Sequence, residues 1–163
     1  LRLQPGVNHG MMTIIYIIYK EYICMRIMAI DYGDAHTGIA ISDPTGFLTG
    51  FSTVITAYRP EVVVDNIVRL VQEHGVEELV LGHPINMDGT RGPRSEKAQA
   101  MAELLRETTS LPVVLWDERR TTIDAHQILM NSGKNAKKRK KVVDAVAASL
   151  ILEGYLTFRK SQP

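Results

Sequence analysis

The sequence predicts an α/β fold on a five-stranded mixed sheet, an antiparallel three-strand meander plus two parallel strands, flanked by helices. Three β-rich stretches crowd into residues 27–56 with short turns between them. Two continuous apolar runs follow, LVLG at 79–82 and PVVLW at 112–116, each preceded by a helical pattern. Such runs suit parallel strands buried on both faces, and the intervening helices suit crossovers.

Taken in order, residues 1–24 differ in kind from the rest: LRLQPGVNHG is polar and turn-rich, and MMTIIYIIYKEYIC is dense in Ile and Tyr. Met25 reads as a natural start. Residues 1–24 are therefore expected to be an extension outside the functional core, adding at most an edge strand, and 25–163 to be the domain proper. The apolar run 11–18 is too short to cross a bilayer and is broken by Tyr16, Tyr19, Lys20 and Glu21.

The stretch IMAIDYGDAHTGIAISD at 27–43 is a strand ending on Asp31, a glycine-bearing turn and a second strand from Gly38 to Ser42. FSTVI, within 49–56, supplies the third strand. From Pro60, tolerated in a first helical turn, Val63, Ile67, Leu70 and Val71 recur at helical spacing until Gly75. After LVLG comes a long turn, then a helix over 96–107 with Ala98, Met101, Ala102 and Leu105 on one face. The run at 112–116 leads into DERRTT, a helix over 122–130, and the basic stretch KNAKKRKK at 134–141. The final helix follows, with Asp144, Ala147, Ala148 and Ile151 on a face small enough to lie close to a sheet.

Composition narrows the function. A chain of 163 residues with 45% apolar and 23% charged residues fits one globular domain. A net charge of +1 excludes a strongly basic protein, so nucleic-acid contact would rest on a local patch. Cys24 is the single cysteine, which rules out an internal disulfide and a Cys-based zinc site and fits a cytoplasmic location.

Three carboxylates carry the chemical signal. Asp31 ends the first strand, Glu118 follows the last, and Asp144 lies one turn into the final helix. If the parallel strands flank the first, all three converge. Oxygen ligands without His or Cys suit Mg²⁺ or Mn²⁺, and two such ions roughly 3.5–4 Å apart support in-line phosphodiester hydrolysis. Singly, each acid has a plainer reading: Asp31 as a turn cap, Glu118 paired with Arg119 or Arg120, Asp144 as a helix N-terminal acid. Their joint placement favours the metal site.

IDYGDAHTGIAISD, LVLGHPINMDGTRGPRSEKA, LPVVLWDERRTT and KKVVDAVAASLILEGYL, in this order and spacing, closely resemble the bacterial Holliday junction resolvase-like family, also described as pre-16S ribosomal RNA nucleases. That family belongs to the ribonuclease H-like superfamily. The resemblance implies a ribonuclease H-like sheet and a divalent-metal nuclease site, with the catalytic and metal-binding acids falling on Asp31, Glu118 and Asp144. It implies precursor rRNA as substrate, with ribosomal precursor particles as a setting, or else branched DNA, and no membrane partner. Two positions depart from the family pattern: His83 stands where a small or apolar residue is usual, and Arg120 where an apolar one is.

Basic residues complete the expectation. The loop at 86–97 follows a parallel strand, on the ligand side of such sheets, and carries Arg91, Arg94 and Lys97. Arg119 and the run with Lys137, Lys138 and Arg139 are further candidates for phosphate contact, the run as a flap leading into the Asp144 helix. A solvated turn with Ser95 as helix cap, and a solvated charge run, are the plainer readings. His36, His74 and His126 share no ligand spacing; His83 is placed near substrate by the neighbouring loop, and Trp116 is expected in the core.

Two other functions fit parts of the chain. DYGDAHTG resembles the phosphate turn of actin-like and sugar-kinase ATPases, but those need two comparable domains. A nucleic-acid-binding ribosome-assembly factor without catalysis fits the basic residues equally, and retention of all three acids argues against it. Oligomeric state stays open between monomer and homodimer: a four-way junction favours a symmetric dimer and RNA trimming requires none.

Overall fold

A computed structural model of the chain describes residues 25–120 and 136–162, together with Gly10, Met11, Thr13 and Ile14. The expected helix over 122–130, with Thr121, Thr122, His126 and Lys134, lies outside the described residues, as do most of residues 1–24. Gly10, Met11, Thr13 and Ile14 are helical and exposed, so at these positions the expected edge strand is replaced by helix.

The meander is β1 (Ile27–Asp31), β2 (His36–Ser42) and β3 (Thr49–Thr56). Helix α1 (Pro60–His74), β4 (Glu78–His83), α2 (Pro93–Thr109), β5 (Val113–Asp117) and α3 (Ala136–Lys160) follow. The sheet order is β3-β2-β1-β4-β5, with β1–β2 and β2–β3 antiparallel and β1–β4 and β4–β5 parallel. This is the expected mixed sheet, and it puts β1 between its meander partner and the parallel pair. Helix α1 stops where expected: Gly75 adopts φ 62°, and its N–H caps the Val71 carbonyl.

Strand alternation sorts the core into two layers. Met28, Ile30, Ile39, Ile41, Leu79 and Leu81 pack with Val63 and Ile67 of α1 and Met101 and Leu105 of α2. The residues between them, Ile27, Ala29, Ala40 and Val80, pack with Trp116 against Ala148, Ile151, Leu152 and Tyr155 of α3. Trp116 is buried as expected and meets Tyr155 edge-on with ring centroids 5.5 Å apart.

Helix α3 begins earlier than the sequence reading places it. Its first turns include residues 136–141, so Lys137, Lys138 and Arg139 stand on helical backbone and Asp144 is more than two turns in. Lys and Arg are good helix formers, and the charge run extends the helix instead of forming a loop ahead of it.

Candidate active site

The site is built by alternation and by missing side chains. Along β1, Ile27 and Ala29 face α3, so Asp31 continues that row at the strand's C-terminal end. On β5, Val114 and Trp116 face α3 as well, and Glu118 opens the 3₁₀ turn Glu118–Arg120 directly after the strand. Between these rows lies Gly82 of β4. A Cβ there would stand 2.6 Å from Glu118 Oε1 and 2.7 Å from Ile151 Cδ1, so a larger residue would displace one of those side-chain ends from this position.

A second glycine brings in the third acid. Gly38 pairs with Asp31 across β1–β2, and a Cβ on it would overlap the backbone carbonyl oxygen of Asp144. The helix therefore lies directly on β2 beside Asp31. Asp31, Glu118, Asp144 and Arg94 line one cavity of about 200 Å³, with Ala147 and Ile151 of α3 on its apolar wall. All three acids singled out by the sequence border this cavity.

Electrostatics single out Glu118. Burial, then the nearby Asp31 carboxylate, pushes its carboxyl up to about 7, while the Arg94 guanidinium pulls the other way. Glu118 therefore titrates near neutrality. Its plainer reading, an ion pair with Arg119, does not describe the structure: Arg119 forks onto Asp117, with Nε 3.0 Å from Oδ1 and Nη2 2.6 Å from Oδ2. Arg119 Nη1 also reaches the Asn86 carbonyl at 3.4 Å, tying the strand end to the 86–90 turn.

Arg91, Lys97 and Arg119 are not among the described residues that line this cavity. Lys97 of α2 pairs with Asp34 in the β1–β2 turn, holding that exposed carboxyl below its usual range. Arg91 closes a small turn through a bridge with Ile85, and Asp88 Oδ1 accepts the Thr90 N–H at 2.9 Å inside it. The backbone of Lys137, Lys138 and Arg139 is on α3, and their side chains lie outside the described residues. His83 is only 6% exposed and shares a 2.6 Å hydrogen bond between Nε2 and Ser95 Oγ. It fastens β4 to the start of α2. Ser95 is likewise a buried tie and no cap, the N-cap being Gly92.

Sequence reasoning does not single out Gly38 and Gly82 as functional. The available signal is an isolated glycine within a strand pattern, which marks a close approach.

A divalent cation is the group the acids imply. Among the described residues, no three His, Cys, Asp or Glu side chains are gathered closely enough to form a ready ligand cluster. The donor set nevertheless fits Mg²⁺ or Mn²⁺, being all oxygen in one cavity, with the glycine gap at Gly82 reserved for a carboxylate. Such ions are commonly held by one or two carboxylates, waters and substrate phosphates and need no full protein cage.

Relatives match most of the chain. Over 135 residues the chain is 44% identical to a protein of Halothermothrix orenii named "Putative pre-16S rRNA nuclease", covering 83% of this chain and 96% of that one. A protein of the same name from Listeria monocytogenes serotype 4b is 46% identical over 134 residues, 81% of this chain and 97% of its own. Among solved structures, T. thermophilus RuvC in complex with Holliday junction substrate superposes with a TM-score of 0.57 at 12% identity, over 85% of this chain and 99% of that one. That likeness shows the shared ribonuclease H-like fold. The RuvX family, described as Holliday junction resolvase, matches residues 25–158, and the chain belongs to it.

Proposed function

We propose that this protein is a cytoplasmic, divalent-metal-dependent endonuclease that hydrolyses phosphodiesters of precursor 16S ribosomal RNA. The observation that supports this furthest is the shared cavity of Asp31, Glu118 and Asp144 beside Arg94. The names of the relatives supply the substrate. Asp31, Glu118 and Asp144 are the proposed metal ligands and catalytic acids, and the ions are Mg²⁺ or Mn²⁺, two with substrate bound. When bound, they activate a water and stabilise the leaving oxygen.

Asp31 and Asp144 concentrate negative charge where a cation is needed. Without a cation Glu118 titrates near 7, so a bound proton leaves it when a cation takes that place. Arg94 projects a fork of N–H donors into the same cavity, suited to a phosphate oxygen pair. Arg91, Lys97 and Arg119 are further proposed phosphate contacts, and Lys137, Lys138 and Arg139, on the backbone of α3, complete that set. Ribosomal precursor particles are the proposed setting.

Branched DNA is the second reading, favoured by the family's description as Holliday junction resolvase. Labelled pre-16S RNA and a four-way DNA junction, incubated side by side with Mn²⁺, Mg²⁺ or chelator, separate the two. Metal-dependent RNA cleavage that disappears in Asp31→Asn is the expected result. Cleavage of the junction alone transfers the assignment to DNA. Retention of both substrates without cleavage by the parent protein replaces the nuclease with a binding factor.

A further inference from the structure

Three concavities succeed one another around the end of the sheet. The first is the carboxylate cavity. A second, of about 240 Å³, shares Arg94 and Asp144 with it and continues over Gly33 and His36 to Lys97. A third, of about 340 Å³, shares Tyr32, Asp34 and Lys97 with the second and is walled by Tyr58, Met101 and Leu104. The course runs from the α3 side of β1, across the β1–β2 turn, to the α1–α2 side. At the crossing, a Cβ on Gly33 would stand 2.5 Å from the His36 carbonyl oxygen, so glycine keeps the turn low.

The lining changes character along this course. Helix α2 contributes Arg94, Lys97, Met101 and Leu104 from a single stripe, basic near the carboxylates and apolar at the far end. At that end Tyr58 is 81% exposed. An isolated exposed aromatic requires no explanation. This one opens onto a cavity with a second tyrosine and an ammonium group, continuous with the carboxylate site. Its backbone is anchored: the neighbouring Ala57 N–H bonds the Ala35 carbonyl at 3.1 Å, and Pro60 starts α1 two residues later. Tyr32 packs partly against the core.

We propose that this course holds an unpaired RNA strand leaving the scissile phosphate, with Arg94 and Lys97 on successive phosphates and Tyr58, backed by Tyr32, stacking an unpaired base. The proposal deepens the nuclease reading above and rests on it for its direction. Bases within a duplex are stacked on one another, and only a single strand offers a free face to an aromatic ring. The ion pair of Lys97 with Asp34 is no obstacle, since both groups are largely exposed and such pairs are worth little. A phosphate takes the place of Asp34 at small cost.

The test measures binding of a short fluorescent single-stranded RNA, the same RNA annealed to its complement, and single-stranded DNA of the same sequence, all in chelator so that nothing is cut. Tyr58→Ala is expected to weaken single-stranded RNA binding roughly 5- to 150-fold, the range for removal of one base stack. Tyr58→Phe should retain the parent affinity and duplex binding should be unchanged in both variants. Equal loss for single strand and duplex, no loss in Tyr58→Ala, or loss in Tyr58→Phe would each overturn the track. Tighter, Tyr58-dependent binding of the DNA strand would overturn the choice of RNA. Pre-16S RNA cleavage is scored separately: a parent protein that does not cut RNA but binds the strand through Tyr58 keeps the track and loses the nuclease reading.

Discussion

The two faces of one sheet differ in what their residues are for. Towards α1 and α2, large aliphatic side chains fill most of the central positions, and Met28, Ile30, Ile39, Leu79 and Leu81 are fully buried. Towards α3, the same strands place Ala29, Gly38, Ala40 and Gly82, and the row ends in Asp31 and Glu118. One face is packed for stability; the other is thinned so that a helix and three carboxylates can approach. Neighbouring residues on one strand, Leu81 and Gly82, therefore belong to different problems.

Substitution on each face sharpens this contrast. Asp31→Asn is expected to lower RNA cleavage on the order of 10³-fold while the metal-free protein melts no earlier than its parent. Asp31 raises the cost of ionising Glu118, so removing its charge relieves strain between like charges. Cleavage assays and thermal melts in chelator check the pair of outcomes, and a large loss of melting temperature would break the comparison. Leu81→Ala should do the reverse, costing about 2–5 kcal/mol in denaturant unfolding with little change in cleavage per folded molecule.

Gly82→Ala tests the boundary between the faces. Its methyl would press on Glu118 Oε1 and Ile151 Cδ1, and Glu118, the looser of the two, should move. A loss of activity on the order of 10- to 100-fold is expected, read as kcat at saturating RNA, with a stability change smaller than that of Leu81→Ala.

The acid dependence follows from Glu118. Its folded-state pKa of about 7 exceeds the ordinary value of 4.5, so the folded protein binds more protons between these limits. Its contribution to stability is full below about 4.5 and is lost as pH rises through about 7. Melts in chelator from acid to neutral pH should show the decline, and Glu118→Gln should flatten it. The smallest effect belongs to the helix start. Neutralising Lys137, Lys138 and Arg139 should make the salt dependence of RNA binding shallower, by about 0.7 in logarithmic slope for each phosphate these side chains neutralise in the parent protein.

Some of this is legible in the chain. The strands, the two crossovers and the end of α1 at Gly75 follow from apolar runs, helical spacing and cap residues, all local signals. The basic run at 134–141 misleads because a dense charge run reads as a loop, whereas its residues favour helix. Ser95 misleads in another way, since it satisfies itself with His83 in the interior and nothing local announces that partner.

The sequence by itself determined the element order, the binary pattern and the identity of three acids at strand ends and on the last helix. Only the tertiary structure decided that β1 lies between β2 and β4, which row of each strand faces α3, and that Gly38 and Gly82 make the space in which the acids meet. The physical reason is range. Propensity and periodicity act over a few residues, whereas Glu118 is shifted by the burial around it and by Asp31, and those relations exist only once distant strands are paired.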